Sequence, residues 1–204
     1  MSRKIGLGID VLTAARKRLS WTFDTFGRVY LSFSAGKDST VMLHLAAIEA
    51  RKRGREIGVL LVDLEAQYRH TINHALRCFE MYGDVIEPYW VSLPLSLRNA
   101  VSQFDPQWQC FDPDRRADWV REPPDYAITD QSFFPFFVRG MEFEDFIAKF
   151  AQWYAGGKST ACLVGIRSDE SLNRYRTLIA DKTRFEGRSW TTWTGGSTYN
   201  VYPI

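Results

Sequence analysis

The stretch Val29-Tyr30-Leu31-Ser32-Phe33-Ser34-Ala35-Gly36-Lys37-Asp38-Ser39-Thr40 restricts this chain more than any other. An apolar run from Val29 to Phe33 stops at small residues. From Ser39 onward Val41, Leu43, Leu45, Ala46 and Ile48 recur at helical spacing, so the pattern predicts a strand, a tight loop and a helix. Such a loop suits an anion. Ala35 and Gly36 keep bulky side chains away from a ligand, the first N–H groups of a helix lack intrahelical partners, and the helix dipole favours negative charge there. Lys37 adds a mobile cation, and Ser34, Ser39 and Thr40 add hydroxyls. The spacing is not that of the Walker loop, so a different phosphate grip is expected. An ordinary Gly/Ser turn is the plain alternative; Ser-x-Gly-Lys-Asp-Ser between a hydrophobic strand and an amphipathic helix favours phosphate.

The rest of the chain alternates in the same way. Residues 9–26 carry a helical stripe with Asp10 as cap and Gly27 as stop, and Ile57 to Val62 read as a strand buried on both faces. That strand runs into Asp63-Leu64-Glu65. In an open parallel sheet ligands sit at the carboxyl ends of strands, so Asp63 or Glu65 is placed to reach a ribose or a metal; carboxylates that merely solvate a strand end are the alternative. Val85 to Leu93 read as a third strand, residues 141–155 as a helix ending at Gly156-Gly157, Thr160 to Ile166 as a fourth strand, and Tyr199 to Ile204 as another strand-like run. The fourth strand leads into Gly165-Ile166-Arg167-Ser168-Asp169-Glu170-Ser171. Gly165 allows close backbone approach and Arg167 has the planar fork for phosphate or sulfate, although an ion pair with Asp169 or Glu170 is the commoner use of such a cluster. Strands alternating with helices predict a doubly wound α/β sheet with helices on both faces.

Residues 94–135 break this rhythm. They are rich in Pro, Asp and aromatics, and a loop of that length is usually functional or disordered. The aromatics argue for order, and the segment is expected to be an insertion that covers a site or meets a protein partner, or one that simply packs. His70, His74 and Cys78 fall on one helical face, but about 12 Å of rise separates the ends, too far for one tetrahedral ion. Packing and surface roles are expected for them. Cys78, Cys110 and Cys162 form no Cys-x-x-Cys pair, so neither a disulfide framework nor an iron–sulfur cluster is expected, and buried or neutral thiols are the default.

Composition narrows the partners. A net charge of +2 over 204 residues gives no support to general nucleic-acid binding, and the balance of 45% hydrophobic with 25% charged residues is that of a globular protein. No apolar run approaches membrane-spanning length and Met-Ser-Arg-Lys-Ile-Gly is no signal peptide, so a cytoplasmic location is expected.

Ser34-Ala35-Gly36-Lys37-Asp38-Ser39 resembles the PP-loop, Ser-Gly-Gly-Lys-Asp-Ser, of the ATP pyrophosphatase and phosphoadenosine-phosphosulfate (PAPS) reductase superfamily; Ala35 is the one departure. It is strained if that position needs a positive φ and harmless if only smallness is needed. Gly165 to Ser171 resembles the second signature of that superfamily, and Asp63 stands where it carries an acidic nucleotide-contacting motif. Over nearly the whole chain, including Ile86 to Trp90, the Phe-Asp-Pro segment at 111–113 and Trp119-Val120-Arg121, the sequence is similar to the prophage-associated immunoglobulin-binding regulator A family. The resemblance implies one PP-loop domain over 1–204 with a five-stranded, mostly parallel sheet in the order 3-2-1-4-5. It also implies that Pro203-Ile204 stand where a further C-terminal portion would begin.

For function, the resemblance implies an adenine nucleotide, ATP or PAPS, held by Ser34, Ala35, Gly36, Lys37, Asp38, Ser39, Thr40, Asp63, Gly165 and Arg167. Lys37, Asp38 and Arg167 would be catalytic, and Asp38 or Asp63 would place Mg²⁺ if the ligand is ATP. The expected reaction is α–β phosphate cleavage with adenylyl transfer, or chemistry on a sulfonucleotide. A nucleotide-binding regulator that docks a partner through residues 94–135 is one alternative. A true PAPS reductase is another, but its C-terminal cysteine tail is not in these residues.

Overall fold

The computed structural model describes residues 8–99, 104–167, 171, 172, 174, 176 and 183–204. Helix α1 (Val11–Thr25) leads into strand β1 (Arg28–Ser32), followed by α2 (Lys37–Lys52), β2 (Ile57–Val62), α3 (Arg69–Met81) and β3 (Ile86–Val91). The insertion holds the short strands β4 (Ser96–Arg98) and β5 (Gln107–Gln109); then come α4 (Phe143–Ala155), β6 (Thr160–Val164), β7 (Thr191–Gly195) and β8 (Thr198–Val201). Asp10 caps α1 by accepting the Thr13 N–H at 2.9 Å. Gly27 is not its stop: the helix ends at Phe26, whose backbone is extended at φ −102°. Gly156, at φ 53°, does close α4 in the left-handed form that glycine tolerates.

The main sheet has the order β3-β2-β1-β6-β8-β7. Every pairing is parallel except β7 with β8. The expected order is therefore found among its first five strands, with β6 and β8 as the fourth and fifth. The sheet has six strands rather than five because β7 folds back on β8 as an antiparallel edge. Its Thr191-Thr192-Trp193-Thr194 sequence lacks the apolar run of a buried strand. The hairpin signal was the pair Gly195-Gly196, both at positive φ.

Side chains alternate across the sheet. Val29, Leu31 and Phe33 of the β1 segment, Ile57, Val59 and Leu61 of β2, and Ala161 and Leu163 of β6 join one core with residues of α1, α2 and α3. Tyr30, Leu60 and Cys162 point the other way, into a second core with Phe146, Phe150 and Tyr154 of α4. This two-sided burial explains why the central strands read as continuous apolar runs. The insertion is packed into the second core through Cys110, Phe111 and Phe134, and the Phe134 ring lies 5.0 Å from Trp153 and 5.4 Å from Phe146.

Tyr154 ties α4 to the sheet. Its hydroxyl donates to Val29 O and accepts the Gly58 N–H, both at 3.1 Å. A Cβ at Gly58 would stand 2.8 Å from that phenol ring, so only glycine fits. Gly58→Ala is expected to destabilise the fold by about 1–3 kcal/mol through overpacking, seen as a lower urea midpoint with an unchanged m-value.

Candidate nucleotide site

The loop after β1 leaves the sheet at its carboxyl edge. Phe33 is still paired to β2 through its N–H to Leu60 O at 2.8 Å, and Ser34, Gly36 and Lys37 are exposed. Gly36 is the N-cap of α2 and no side chain caps this helix, in contrast to α1. The N–H groups of its first turn are therefore left to a ligand, with Lys37 beside them. Asp38 and Ser39 turn inward: Asp38 is partly buried and Ser39 is 5% exposed. Ser39 Oγ lies 3.1 Å from Ser34 Oγ and 3.0 Å from Gly36 O, and Thr40 Oγ1 donates to Gly36 O at 2.8 Å.

Ala35 has φ 55°. The position therefore needs the left-handed backbone, and the methyl group there is strained rather than merely small. Ala35→Gly is expected to stabilise the protein by about 0.5–1 kcal/mol, the relieved strain being partly offset by the freer unfolded glycine; thermal melts of the two proteins check this.

Strand β6 brings the second signature to the loop. Ser32 of β1 is level with Val164 of β6, so Gly165 follows beside the start of α2. A Cβ on Gly165 would meet Ser39 N at 3.0 Å and the carbonyl of Asp38 at 3.1 Å. Glycine is what allows this abutment. Arg167 Nε stands 3.6 Å from Asp38 Oδ2, with the arginine side chain 45% exposed and the aspartate 18%. Asp38 is thus an acid within ion-pair reach of Arg167. Asp169 and Glu170 lie outside the described residues.

Asp63, expected at the ligand, is fully buried just past the end of β2. Its Oδ1 accepts the Glu65 N–H at 2.9 Å and a short bond from Arg121, while Oδ2 accepts Trp90 Nε1 at 3.1 Å and Ser92 Oγ at 3.4 Å. Glu65, at φ 63° and 4% exposed, accepts the backbone N–H groups of Phe111 and Val120, at 2.5 and 2.9 Å. The two acids therefore fasten the insertion to the end of β2. Arg121, which sequence reasoning did not single out as a site residue, is the cation of this network; the signal for it was the Trp119-Val120-Arg121 segment.

The histidine comb separates. His70 is exposed, whereas His74 Nε2 is 2.9 Å from Thr40 Oγ1 and 3.6 Å from Cys78 Sγ. Among the described residues no cluster of three or more His, Cys, Asp or Glu forms a metal cage. All three cysteines are buried free thiols. Burial pushes Cys110 up to about 11 and Cys162 up to about 12, so neither supplies a thiolate at neutral pH. A cavity of about 260 Å³ lined by Phe79, Ile86, Pro88 and Tyr126 lies on the outer strand β3. Its apolar walls give an anion no partner, and the loop is the better candidate. No helix among the described residues is long and apolar enough to cross a membrane.

The chain is 48% identical over 205 residues to "Uncharacterized protein YbdN" of Escherichia coli (strain K12), covering 98% of this chain and 50% of that protein. It thus spans about half the length of this curated relative. A solved structure of NMN synthetase from Francisella tularensis aligns with 22% identity and a TM-score of 0.32, over 40% of this chain and 34% of that one. Residues 28–109, which carry the loop and the strands β1, β2 and β3, match the phosphoadenosine phosphosulfate reductase domain family, and this part of the chain is similar to that domain.

Proposed function

We propose that the protein binds an adenine nucleotide, ATP or a sulfonucleotide such as PAPS or adenylyl sulfate, with the anionic groups on the Ser34–Thr40 loop. We further propose that it cleaves the α–β phosphate linkage of ATP with adenylyl transfer, or acts on the sulfonucleotide. The observation that carries the reading is the uncapped start of α2, bearing Lys37 and abutted by Gly165 with Arg167 beside Asp38. The match of residues 28–109 to the PAPS reductase domain supports it.

On this reading the first-turn N–H groups and Lys37 hold the phosphates and stabilise the charge that grows on the departing group, a preorganised role that needs no rearrangement. Arg167 exchanges Asp38 for a phosphate or sulfate oxygen, which its fork can take in pairs. Ser34 orients a ligand oxygen, and Ser39, whose hydroxyl lies 3.1 Å from Ser34 Oγ, supports it from behind. The hydrogen-bond partners of Ser39 Oγ are a hydroxyl and a carbonyl, neither of them a base that would make it a nucleophile. Mg²⁺, when ATP is bound, would neutralise phosphate charge. Asp38 fits as its protein ligand because it faces the loop, whereas the oxygens of Asp63 are already engaged.

Calorimetric titration with ATP, PAPS and adenylyl sulfate, with pyrophosphate release followed in parallel, tests the proposal. Saturable binding of at least one of them is expected, and heats indistinguishable from buffer for all three at millimolar ligand would sink it. In the same assay Arg167→Lys should lose more affinity as phosphate or sulfate groups are added from adenosine through AMP to ATP and PAPS. Equal small losses for all four would return Arg167 to a surface ion pair.

A further inference from the structure

We propose that His74 is a positioning residue for the phosphate loop: by donating its Nε2–H to Thr40 Oγ1 it sets the direction of a hydroxyl chain and leaves Ser34 Oγ–H as the outward donor. The role of that donor rests on the nucleotide reading above; the direction of the chain does not. Three donors converge on one oxygen. Gly36 O lies within hydrogen-bond reach of Thr40 N at 2.9 Å, Thr40 Oγ1 at 2.8 Å and Ser39 Oγ at 3.0 Å. A carbonyl offers two lone pairs, and the Thr40 N–H, the first intrahelical bond of α2, takes one. Only one of the two hydroxyls can take the other well.

Each hydroxyl has a second neighbour. Ser39 can turn to Ser34 Oγ at 3.1 Å, and Thr40 can turn to His74 Nε2 at 2.9 Å. His74 therefore selects between two arrangements. With a proton on Nε2 it donates to Thr40, Thr40 donates to Gly36 O, and Ser39 donates to Ser34 Oγ. The proton of the exposed Ser34 then points away from Ser39, to the ligand side. With a bare Nε2, Thr40 donates to His74 and Ser39 takes the Gly36 carbonyl. Ser34 is then free to donate inward to Ser39, and the rim loses a donor. Phosphate and sulfate oxygens only accept, so the Nε2–H arrangement is the one that binds them. Cys78 does not compete: burial pushes its thiol up, and a neutral thiol is a weak acceptor for the Nε2 proton.

Two measurements test the assignment. Long-range proton–nitrogen NMR of the imidazole in the ligand-free protein should find the neutral ring protonated on Nε2; a ring protonated on Nδ1 overturns the proposal whatever binds. In ATP titrations His74→Ala and Thr40→Val should each weaken binding about three- to tenfold, the worth of one hydrogen bond. The double variant should be no weaker than the weaker single, because both break one chain. His74→Gln, whose amide can still donate to Thr40, should restore affinity to within about twofold of wild type, which a mere packing role would not predict. Wild-type affinity in His74→Ala, or losses that add in the double variant, overturns the proposal. If the wild-type protein binds no ATP, the nucleotide reading fails by itself and the imidazole tautomer alone upholds or overturns the role of His74.

Discussion

Asp63→Ala is expected to destabilise the protein by about 3–5 kcal/mol, the cost of leaving a buried ionic partner uncompensated. Asp63 is 0% exposed and the Arg121 side chain 19%, so the stranded guanidinium would have little water to replace the lost carboxylate. Trp90 Nε1, Ser92 Oγ and the Glu65 N–H would lose their acceptor at the same time. Domains of this size have about 5–15 kcal/mol in total, so the variant should sit near the edge of folding. Urea denaturation measures the loss. Removing both ions, as in the pair Asp63→Ala with Arg121→Met, should recover part of it because no bare charge remains buried. A loss under about 1 kcal/mol in the single variant would mean that the insertion is held by Phe111, Phe134 and the α4 aromatics instead.

Lys37→Ala should act on binding alone. Lys37 is exposed at the start of α2, so stability should stay within about 0.5 kcal/mol of wild type. Loss of a charge-assisted bond to phosphate of about 1.5–3 kcal/mol should weaken ATP or PAPS binding by about ten- to hundredfold. Calorimetry with a melting control separates the two effects. Unchanged affinity in a normally melting variant would remove the loop from the site.

What could be read from the sequence follows from how local each signal is. The strands β1, β2 and β6 are buried on both faces and announce themselves as apolar runs, and the loop announces itself because small residues interrupt one of those runs. The closeness of Gly165 and Arg167 to Asp38 needed only the strand order. Asp63 was harder. Its partners come from β3, the segment after it and the insertion, and no spacing in the sequence tells an acid that is closed in by Trp90, Ser92 and Arg121 from one left open to a ligand. His74 was legible as part of a stripe but not as the partner of Thr40, since that bond joins α3 to α2 across the layer. Strand β7 escaped because an edge strand needs no apolar run.

The pairing of β1 with β6 also orders events in time. The contact from Gly27 N–H to Ser159 Oγ at the foot of these strands already spans 132 residues, and the whole insertion lies between. Pairings so distant along the chain form late, because the loop must be closed before they return any energy. During synthesis the phosphate loop and its lysine emerge long before Gly165 and Arg167 do. On the proposed reading a growing chain would hold half a site for much of its translation, and competence to grip a nucleotide would arrive only when β6 inserts beside β1. Ligand binding would then report completion of the sheet rather than of the loop.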